Sequence, residues 1–459
     1  MHDVANYHCA YRRNTIFVGE HSLGGRRNMI SVSCFASSKK NHMMGSETEL
    51  AMCSFKKFYP PFVLAFLTTL APAADWPQYL GIKGDAISAE TINGDWKTKA
   101  PKILWRAKVG KGCGSWSIVN GKALVVGNDR GNDIVSCRSA DTGKLIWQHQ
   151  YPEKLVANLY EGGPNTTPTV DGNRVYTLSK SGVLFCLNLG DGRPVWRRHL
   201  RDDFGGKPGG WGFTASPVVD GDLVYVLPCS KDGAFYALEK KTGKVAWHTT
   251  NIQRSGYATP VLTNIDGKRA ALVFYGRTVV AHDLTAKGKI LFEHQWKTSY
   301  NVNASNPQYH DGKVFFASGY GMGYAVLDVT GTSPKILHRD QDIRMIFQNS
   351  IRSGNTITGV FGDKRIDAEL MRMDIASGKI HWREKMPGTR ASAGLIGDTL
   401  VLLSETGELI AGTANDDGFK ETGRIEILSG KCWSPFAVSD GRLIARNNNG
   451  DAICLDVSP

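Results

Sequence analysis

Aromatic, amide and charged side chains are concentrated in the segments of this 459-residue chain that lie between its repeated motifs. Together they suit a binding site, because aromatic faces stack, amides donate and accept hydrogen bonds, and guanidinium groups pair with carboxylate or phosphate. Three arginines favour a protein partner or a small anionic or polar ligand, although the same arginines could instead pair with acids or loop carbonyls. The candidate ligand residues are Glu161, Asn165, Trp211, Arg254, Tyr257, Asn301, Asn303, Arg344, Gln348, Arg390 and Trp433.

A repeated motif of the form Asp/Lys-x-Thr-Gly-Lys-x-x-Trp separates these segments. Its clearest copies are Asp141–Trp147, Gly190–Trp196, Lys241–Trp247 and Ala376–Trp382. The tryptophans of the first three copies are 49 and 51 residues apart, and the fourth follows after 135 residues, or three periods of 45. A fixed period in this range indicates a repeat architecture. Weaker copies end at Phe292, His338 and Ile427.

A second turn signal precedes the motif in each period. Asn-Gly, Asp-Gly or a similar pair between apolar runs predicts a β-hairpin, and each period then has four antiparallel strands, as in a propeller blade. Eight such turns predict an all-β, eight-bladed β-propeller of four-stranded antiparallel blades. The turns are Asn120-Gly121, Asp171-Gly172, Asp220-Gly221, Asp266-Gly267, Asp311-Gly312, Ser353-Gly354, Gly397-Asp398 and Asp440-Gly441.

The two ends of the repeat region complement each other. The last repeat ends with Ala452–Val457, which has the pattern of a third strand, while Lys102–Trp105 has the pattern of a fourth. We therefore expect the N-terminal strand to complete the C-terminal blade and close the ring, which removes exposed sheet edges. The propeller would occupy residues 102–459, after a lead-in segment at 74–101.

The repeated tryptophans are interpreted as packing between blades, because a periodic apolar position usually belongs to the core. Both kinds of glycine turn must lie on one face of the ring, called the turn face. The loops between blades, and those between second and third strands, must lie on the opposite face, called the variable-loop face. Sites usually lie on such unrepeated loops, and the candidate ligand residues converge there on the mouth of the channel.

The N-terminal region predicts secretion. Residues 52–73 combine a basic stretch, an apolar run and Ala71-Pro72-Ala73, the three parts of a cleaved signal peptide. Residues 1–51 are either a non-native extension from an upstream start codon or a disordered segment that would make the signal an anchor. No lipobox cysteine follows the cleavage site, which favours a periplasmic or secreted protein with no transmembrane segment in the mature chain.

Charge and cysteines add two expectations. Residues 1–73 carry eight basic and four acidic residues, so their removal lowers the net charge from +12 to +8, and the remaining charges form no run that would suit nucleic acid. Cys113 and Cys432 each precede an innermost strand, in blades that become neighbours on ring closure. They form a candidate disulfide, which secretion would permit.

The Thr-Gly-Lys-x-x-Trp repeat resembles that of pyrroloquinoline-quinone-like β-propellers, which include quinoprotein alcohol dehydrogenases and the propeller lipoprotein of the outer-membrane barrel-assembly machinery. The resemblance implies either a dehydrogenase or a non-catalytic propeller. In a dehydrogenase, Trp211 or Trp433 would stack on the quinone, and Glu161 with Asn165 or Asn303 would bind calcium. The sequence lacks the adjacent cysteine pair and the Cys-x-x-Cys-His of the dehydrogenase branch.

We therefore expect a monomeric binding or scaffolding module with no cofactor. A dehydrogenase that uses pyrroloquinoline quinone and calcium to oxidise alcohols or sugars is one alternative. A polysaccharide-binding module is the other.

Overall fold

The computed structural model describes residues 75–459, apart from 159, 364 and 365. The predicted extension at 1–51 and the predicted signal peptide at 52–73 lie outside these residues. The described chain forms eight antiparallel four-stranded blades arranged in a ring, and one blade carries a short fifth strand. The predicted eight-bladed β-propeller is confirmed.

Blades 1 to 7 follow one another along the chain, and each consists of four consecutive strands. Blade 1 has Ser117–Val119, Lys122–Asp129, Asn132–Ser139 and Leu145–Pro152; blade 2 has Thr169–Asp171, Arg174–Leu178, Val183–Asn188 and Pro194–His199; blade 3 has Val218–Asp220, Leu223–Val226, Tyr236–Glu239 and Val245–His248. Blade 4 has Val261–Ile265, Lys268–Phe274, Thr278–Asp283 and Lys289–Gln295; blade 5 has Gln308–His310, Lys313–Ser318, Gly323–Asp328 and Lys335–Asp340. Blade 6 has Ser350–Ser353, Thr356–Asp363, Ile366–Asp374 and Ile380–Lys385; blade 7 has Ala391–Ile396, Thr399–Ser404, Glu408–Ala414 and Phe419–Glu426.

Blade 8 draws its strands from both ends of the described chain. Ala437–Ser439, Arg442–Arg446 and Asp451–Asp456 form its first three strands. Lys102–Lys108 forms the fourth and pairs antiparallel with Asp451–Asp456, with Trp105 opposite Cys454. This is the pairing expected from the sequence, and it joins the two ends of the propeller.

The repeated tryptophans pack between neighbouring blades. Trp147, in the outer strand of blade 1, covers the turn glycine of blade 2, and a Cβ on Gly192 would lie 2.4 Å from its ring. The indole Nε1 of Trp147 donates a hydrogen bond to the Leu189 carbonyl at 2.9 Å. Gly143 lies beneath Trp105 and Gly243 beneath Trp196 in the same way. The predicted packing role of the tryptophans is confirmed.

The lead-in segment connects the blades on either side of blade 8. Trp76 exchanges backbone hydrogen bonds with Ile118 of blade 1, and the Pro77 carbonyl accepts one from Val170 of blade 2. The short strand Ile87–Ser88 then adds in parallel to the first strand of blade 7. The chain between these contacts therefore passes from the inner strands of blades 1 and 2 to those of blade 7.

Two short helices interrupt the interblade loops. The α-helix Leu200–Phe204 follows blade 2, and the 3-10 helix Ser299–Asn301 follows blade 4. His199 caps the first helix, because its Nδ1 accepts a hydrogen bond from the backbone N–H of Asp202 at 3.2 Å. Within the described part of the chain, no helix is long and apolar enough to cross a membrane.

Candidate functional site

A cavity of about 210 Å³ lies where the interblade loops meet. Each of these loops runs from the outer strand of one blade to the inner strand of the next, and so passes the mouth of the channel. Residues about one repeat apart in sequence are thereby brought together. Most of the large side chains in the wall are aromatic: Tyr79, Tyr160, Trp211, Tyr257, Tyr320, Phe347 and Trp433.

Trp433 is the centre of one side of this wall. Its ring stacks on Tyr160 at a centroid distance of 6.5 Å and packs against Phe347 at 5.1 Å. The Arg390 guanidinium carbon lies 5.2 Å from the Phe347 ring and 5.5 Å from the Trp433 ring, within the range of cation–π attraction. Lys431 lies 5.2 Å from the Trp433 ring.

Arg390 is held in place by Glu405. Its Nη1 donates a hydrogen bond to the carboxylate at 2.8 Å, and only 7% of Arg390 is exposed. The other oxygen of Glu405 accepts hydrogen bonds from the backbone N–H and the hydroxyl of Thr389. Burial opposes ionisation of Glu405, but these hydrogen bonds and the guanidinium outweigh it, so the pKa of the carboxyl lies below its usual range.

Asn165, Trp211 and Tyr257 form the opposite side of the wall. The Asn165 amide donates hydrogen bonds to the Tyr160 hydroxyl at 3.2 Å and to the Trp211 carbonyl at 3.3 Å. Trp211 meets Tyr257 edge to face, with centroids 5.6 Å apart. Five of the candidate ligand residues therefore line the cavity: Asn165, Trp211, Tyr257, Arg390 and Trp433.

The comparisons with known proteins bear on the scaffold that carries this cavity. The family model PQQ_2, described as outer membrane protein assembly factor BamB, matches residues 131–384. The chain belongs to this family. Outer membrane protein assembly factor BamB of Yersinia pestis is 22% identical over 294 residues, which are 62% of this chain and 62% of that protein. The chain thus spans less than two thirds of that relative.

Two solved structures share the fold of this PQQ_2 family member. BamB from Moraxella catarrhalis superposes with a TM-score of 0.55 at 15% identity, over 78% of this chain and 97% of that chain. Quinohemoprotein alcohol dehydrogenase from Comamonas testosteroni superposes with a TM-score of 0.61 at 12% identity, over 84% and 81%. At these identities the likeness concerns the fold.

The other six candidate residues lie outside the cavity wall. Asn303 is fully buried, where its amide donates to two backbone carbonyls and its oxygen accepts from Ser318. The Gln348 oxygen accepts from two backbone N–H groups of its own loop. Asn301 accepts a hydrogen bond from Arg277. These three amides stabilise the loops that surround the cavity.

The remaining three are charged residues. Glu161 accepts hydrogen bonds from Lys431 at 3.1 Å and Asn448 at 2.9 Å. Arg344 pairs with Asp342 at 3.5 Å and donates its Nε to a loop carbonyl. Arg254 is exposed. Pairing with acids and loop carbonyls, the alternative that the sequence left open for the arginines, therefore applies to Arg344 and, through Glu405, to Arg390.

Several residues of the wall are not among the candidate ligand residues. Tyr79 comes from the lead-in segment, and burial raises its pKa to about 12. Tyr320 comes from the loop between the second and third strands of blade 5. Tyr160 and Phe347 stand next to residues that were selected, and their aromatic character was the available signal. No periodicity pointed to Tyr79, because its segment precedes the first repeat.

The predicted disulfide is not formed. Cys113 and Cys432 are free thiols. The Cys113 N–H donates to the Pro164 carbonyl before blade 2, whereas the Cys432 N–H donates to the Glu405 carbonyl after the second strand of blade 7. The two backbones are thus bound to blades on opposite sides of the seam. Burial raises the pKa of both thiols to about 12.

The wall does not gather the donors that a quinone–calcium pair requires. Calcium takes six to eight oxygen ligands, usually including carboxylates, whereas the described lining residues include no Asp or Glu. Glu161 is bound to Lys431 and Asn448, and the buried Asn303 amide is bound to the Tyr275 carbonyl. The calcium ligands implied by the resemblance are therefore not brought together in this cavity.

Proposed function

We propose that this chain is a non-catalytic binding propeller that takes part in outer membrane protein assembly. It would act in the periplasm and hold a group of a protein partner in the aromatic cavity on the variable-loop face. Membership of the family supports a role in outer membrane protein assembly, since the family model and the Yersinia pestis relative both carry the description outer membrane protein assembly factor. The choice of face and site is our own inference.

The observation that carries the proposal is the aromatic wall built on a rigid ring. Tyr160, Phe347 and Trp433 come from three different loops and support one another through ring contacts. Binding energy at protein interfaces is concentrated in buried Trp, Tyr and Arg residues, and residues fixed in advance lose little entropy on binding. Arg390 is fixed in the same way by Glu405 and two rings.

The size of the cavity favours a single group over a polymer. The volume of about 210 Å³ is smaller than the roughly 300–1,000 Å³ of typical small-molecule pockets. One large side chain or chain end fits this space, and the rest of the partner would lie across the surrounding loops. A polysaccharide would need an open groove along its length, so a protein partner is our preference.

Filling the cavity tests the proposal. Ala304 lines it, and Ala304→Trp would place an indole in the space available to the partner. Ala286→Trp is the matched control, because Ala286 is exposed in the loop between the third and fourth strands of blade 4, on the turn face. Each form would be expressed in the organism of origin after deletion of the native gene, and the amount of folded β-barrel protein in the outer membrane would be measured.

We expect deletion to lower the amount of folded barrel protein, and the wild type and Ala286→Trp to restore it. Ala304→Trp should fail to restore it while being present at the same level. If Ala304→Trp fully restores the amount of folded barrel protein, the cavity is not the partner-binding site. If deletion has no effect on barrel proteins, the chain has no role in their assembly. A separate experiment tests the non-catalytic proposal. It would be overturned if the purified protein retained stoichiometric quinone with calcium and then oxidised an alcohol or sugar with a dye acceptor.

A further inference from the structure

The buried Tyr257 hydroxyl of the cavity wall has no hydrogen-bond partner among the described residues, and neither do two buried N–H donors of the same wall. These donors are the Arg390 Nε and the Trp433 Nε1. Buried polar groups in native proteins are nearly always paired, and leaving one unpaired is destabilising. Both groups belong to the same contact, since the guanidinium lies 5.5 Å from the Trp433 ring.

The chemistry of these two groups limits what can satisfy them. An indole N–H and a guanidinium N–H donate hydrogen bonds and cannot accept them. The matching ligand must therefore supply acceptors. Because Glu405 already binds Nη1 of Arg390, the edge formed by Nε and Nη2 is the one that a ligand carboxylate would meet, in the two-point geometry typical of arginine.

The charges around the wall also favour an anion. Arg390, Lys431 and Lys180 each lie within 5.5 Å of the centre of an aromatic ring of the wall. Two of these cations have carboxylate partners, Glu405 for Arg390 and Glu161 for Lys431. Lys180 donates instead to the Val156 carbonyl at 2.8 Å. Glu153 and Asp133 act on Lys180 electrostatically, so the positive character of the wall rests on Arg390, since the described lining residues include no Asp or Glu.

We propose that the cavity binds a carboxylate carried on an apolar or aromatic body, with the carboxylate on Arg390 and Trp433 and the body among the remaining rings. This inference rests on the proposed function, because it names the ligand chemistry of the same cavity. In a protein partner, the carboxylate would belong either to the chain end or to an acidic side chain.

Small probe molecules test whether the ligand needs a carboxylate, and whether that carboxylate belongs to a chain end or to a side chain. N-acetylphenylalanine carries a terminal carboxylate beside an aromatic ring, and N-acetylphenylalanine amide differs only in lacking that charge. N-acetylglutamic acid α-amide presents a side-chain carboxylate with a small body. Their affinities for the purified protein would be measured by isothermal titration calorimetry at fixed ionic strength. We expect the free acid to bind at least tenfold more tightly than the amide, which corresponds to about 1.4 kcal/mol.

Two variants connect this preference to the wall. Trp433→Phe keeps an aromatic ring and removes the N–H, and Arg390→Lys keeps a positive charge for Glu405 and removes the planar fork. Each should reduce the advantage of the acid over the amide at least fivefold. Arg254→Gln removes one exposed arginine outside the cavity and should leave the advantage unchanged. Circular dichroism and thermal melting would establish that the variants are folded.

The outcomes separate the two proposals. Equal binding of acid and amide that Ala304→Trp abolishes would overturn the carboxylate inference and leave the cavity as the binding site. If Ala304→Trp leaves the binding of either probe unchanged, the probe does not bind in the cavity, and both the proposed binding site and the carboxylate inference are overturned. Tighter binding of the glutamate probe than of the phenylalanine acid would assign the carboxylate to an acidic side chain of the partner, and the reverse order would assign it to a chain end.

Discussion

At the scale of single residues, burial decides what a charged group does in this protein. Arg390 and Arg254 are the same residue type in equivalent interblade loops, yet Arg390 is enclosed by two rings and Glu405 while Arg254 is exposed. Asp133 is a further case, with 1% exposure and a hydrogen bond from the Asn128 amide at 2.8 Å. Burial is the main cause that raises the pKa of Asp133 to about 7.

This raised pKa predicts a pH-dependent stability. An unfolded aspartate has a pKa of about 3.9, so between about pH 4 and pH 7 the folded protein holds a proton that the unfolded chain has released. The stabilisation is complete below the unfolded pKa and is lost as pH rises through that of the folded state. Asp133→Asn should therefore have a higher free energy of unfolding than the wild type at pH 8, and its advantage over the wild type should be smaller at pH 5.

We expect the difference between Asp133→Asn and the wild type to grow by about 2–3 kcal/mol from pH 5 to pH 8, at about 1.4 kcal/mol per pKa unit. Urea unfolding at several pH values measures it. A difference that stays constant over this range would show that the Asp133 carboxyl does not titrate there.

At the scale of elements, the two kinds of glycine turn have different structural roles. Gly172 and Gly192 both belong to blade 2 and both have a positive φ, of +54° and +72°. Nothing lies within 4 Å of a Cβ built on Gly172, whereas one on Gly192 would meet the Trp147 ring at 2.4 Å. The first turn needs only the left-handed conformation, and the second also provides the surface on which the neighbouring blade packs.

Alanine at each position separates these roles. Gly172→Ala should cost about 1–2 kcal/mol of unfolding free energy, from the backbone conformation alone. Gly192→Ala should cost about 1–3 kcal/mol more, because the added methyl group displaces Trp147. Equal losses in urea unfolding would contradict the packing role assigned to this turn.

At the scale of the whole molecule, ring closure depends on the pairing of Lys102–Lys108 with Asp451–Asp456, two strands from the two ends of the propeller. Trp105 lies on the outer strand of blade 8, covers Gly143 of blade 1 and donates its Nε1 to the Ala140 carbonyl at 2.7 Å. Trp147 makes the equivalent contact between blades 1 and 2, and the two tryptophans are 7% and 8% exposed. Blades 1 and 2 follow each other in the chain, but the outer strand of blade 8 joins its blade only by strand pairing.

Truncating these two tryptophans should therefore have similar global but different local effects. Trp105→Ala and Trp147→Ala should each lower the unfolding free energy by about 3–5 kcal/mol. In Trp105→Ala, hydrogen exchange should also become faster in residues 102–108 and 451–456, because opening the seam is a local event. In Trp147→Ala these segments should keep their protection. Faster exchange there in both variants would show that the seam opens only with the whole ring.

The amino-acid sequence by itself determined the blades. The turn glycines, the alternating strands and the tryptophan period are local patterns, and each blade forms mainly from consecutive strands. They were enough to predict eight blades, the packing role of Trp147 and its equivalents, and the pairing of an N-terminal strand at Lys102–Trp105 with the last blade.

Only the tertiary structure decided the site. Asn303 is the same residue type as the wall residue Asn165, and nothing local distinguishes an amide that supports a loop from one that faces a ligand. Tyr79 enters the cavity because its segment crosses from blades 1 and 2 to blade 7, and Arg390 is fixed by a carboxylate 15 residues away. Cys113 and Cys432, a candidate pair by sequence, are free thiols whose N–H groups bind carbonyls of different blades. Side-chain direction and long-range contact are set by packing of the closed ring, and no spacing in the sequence encodes them.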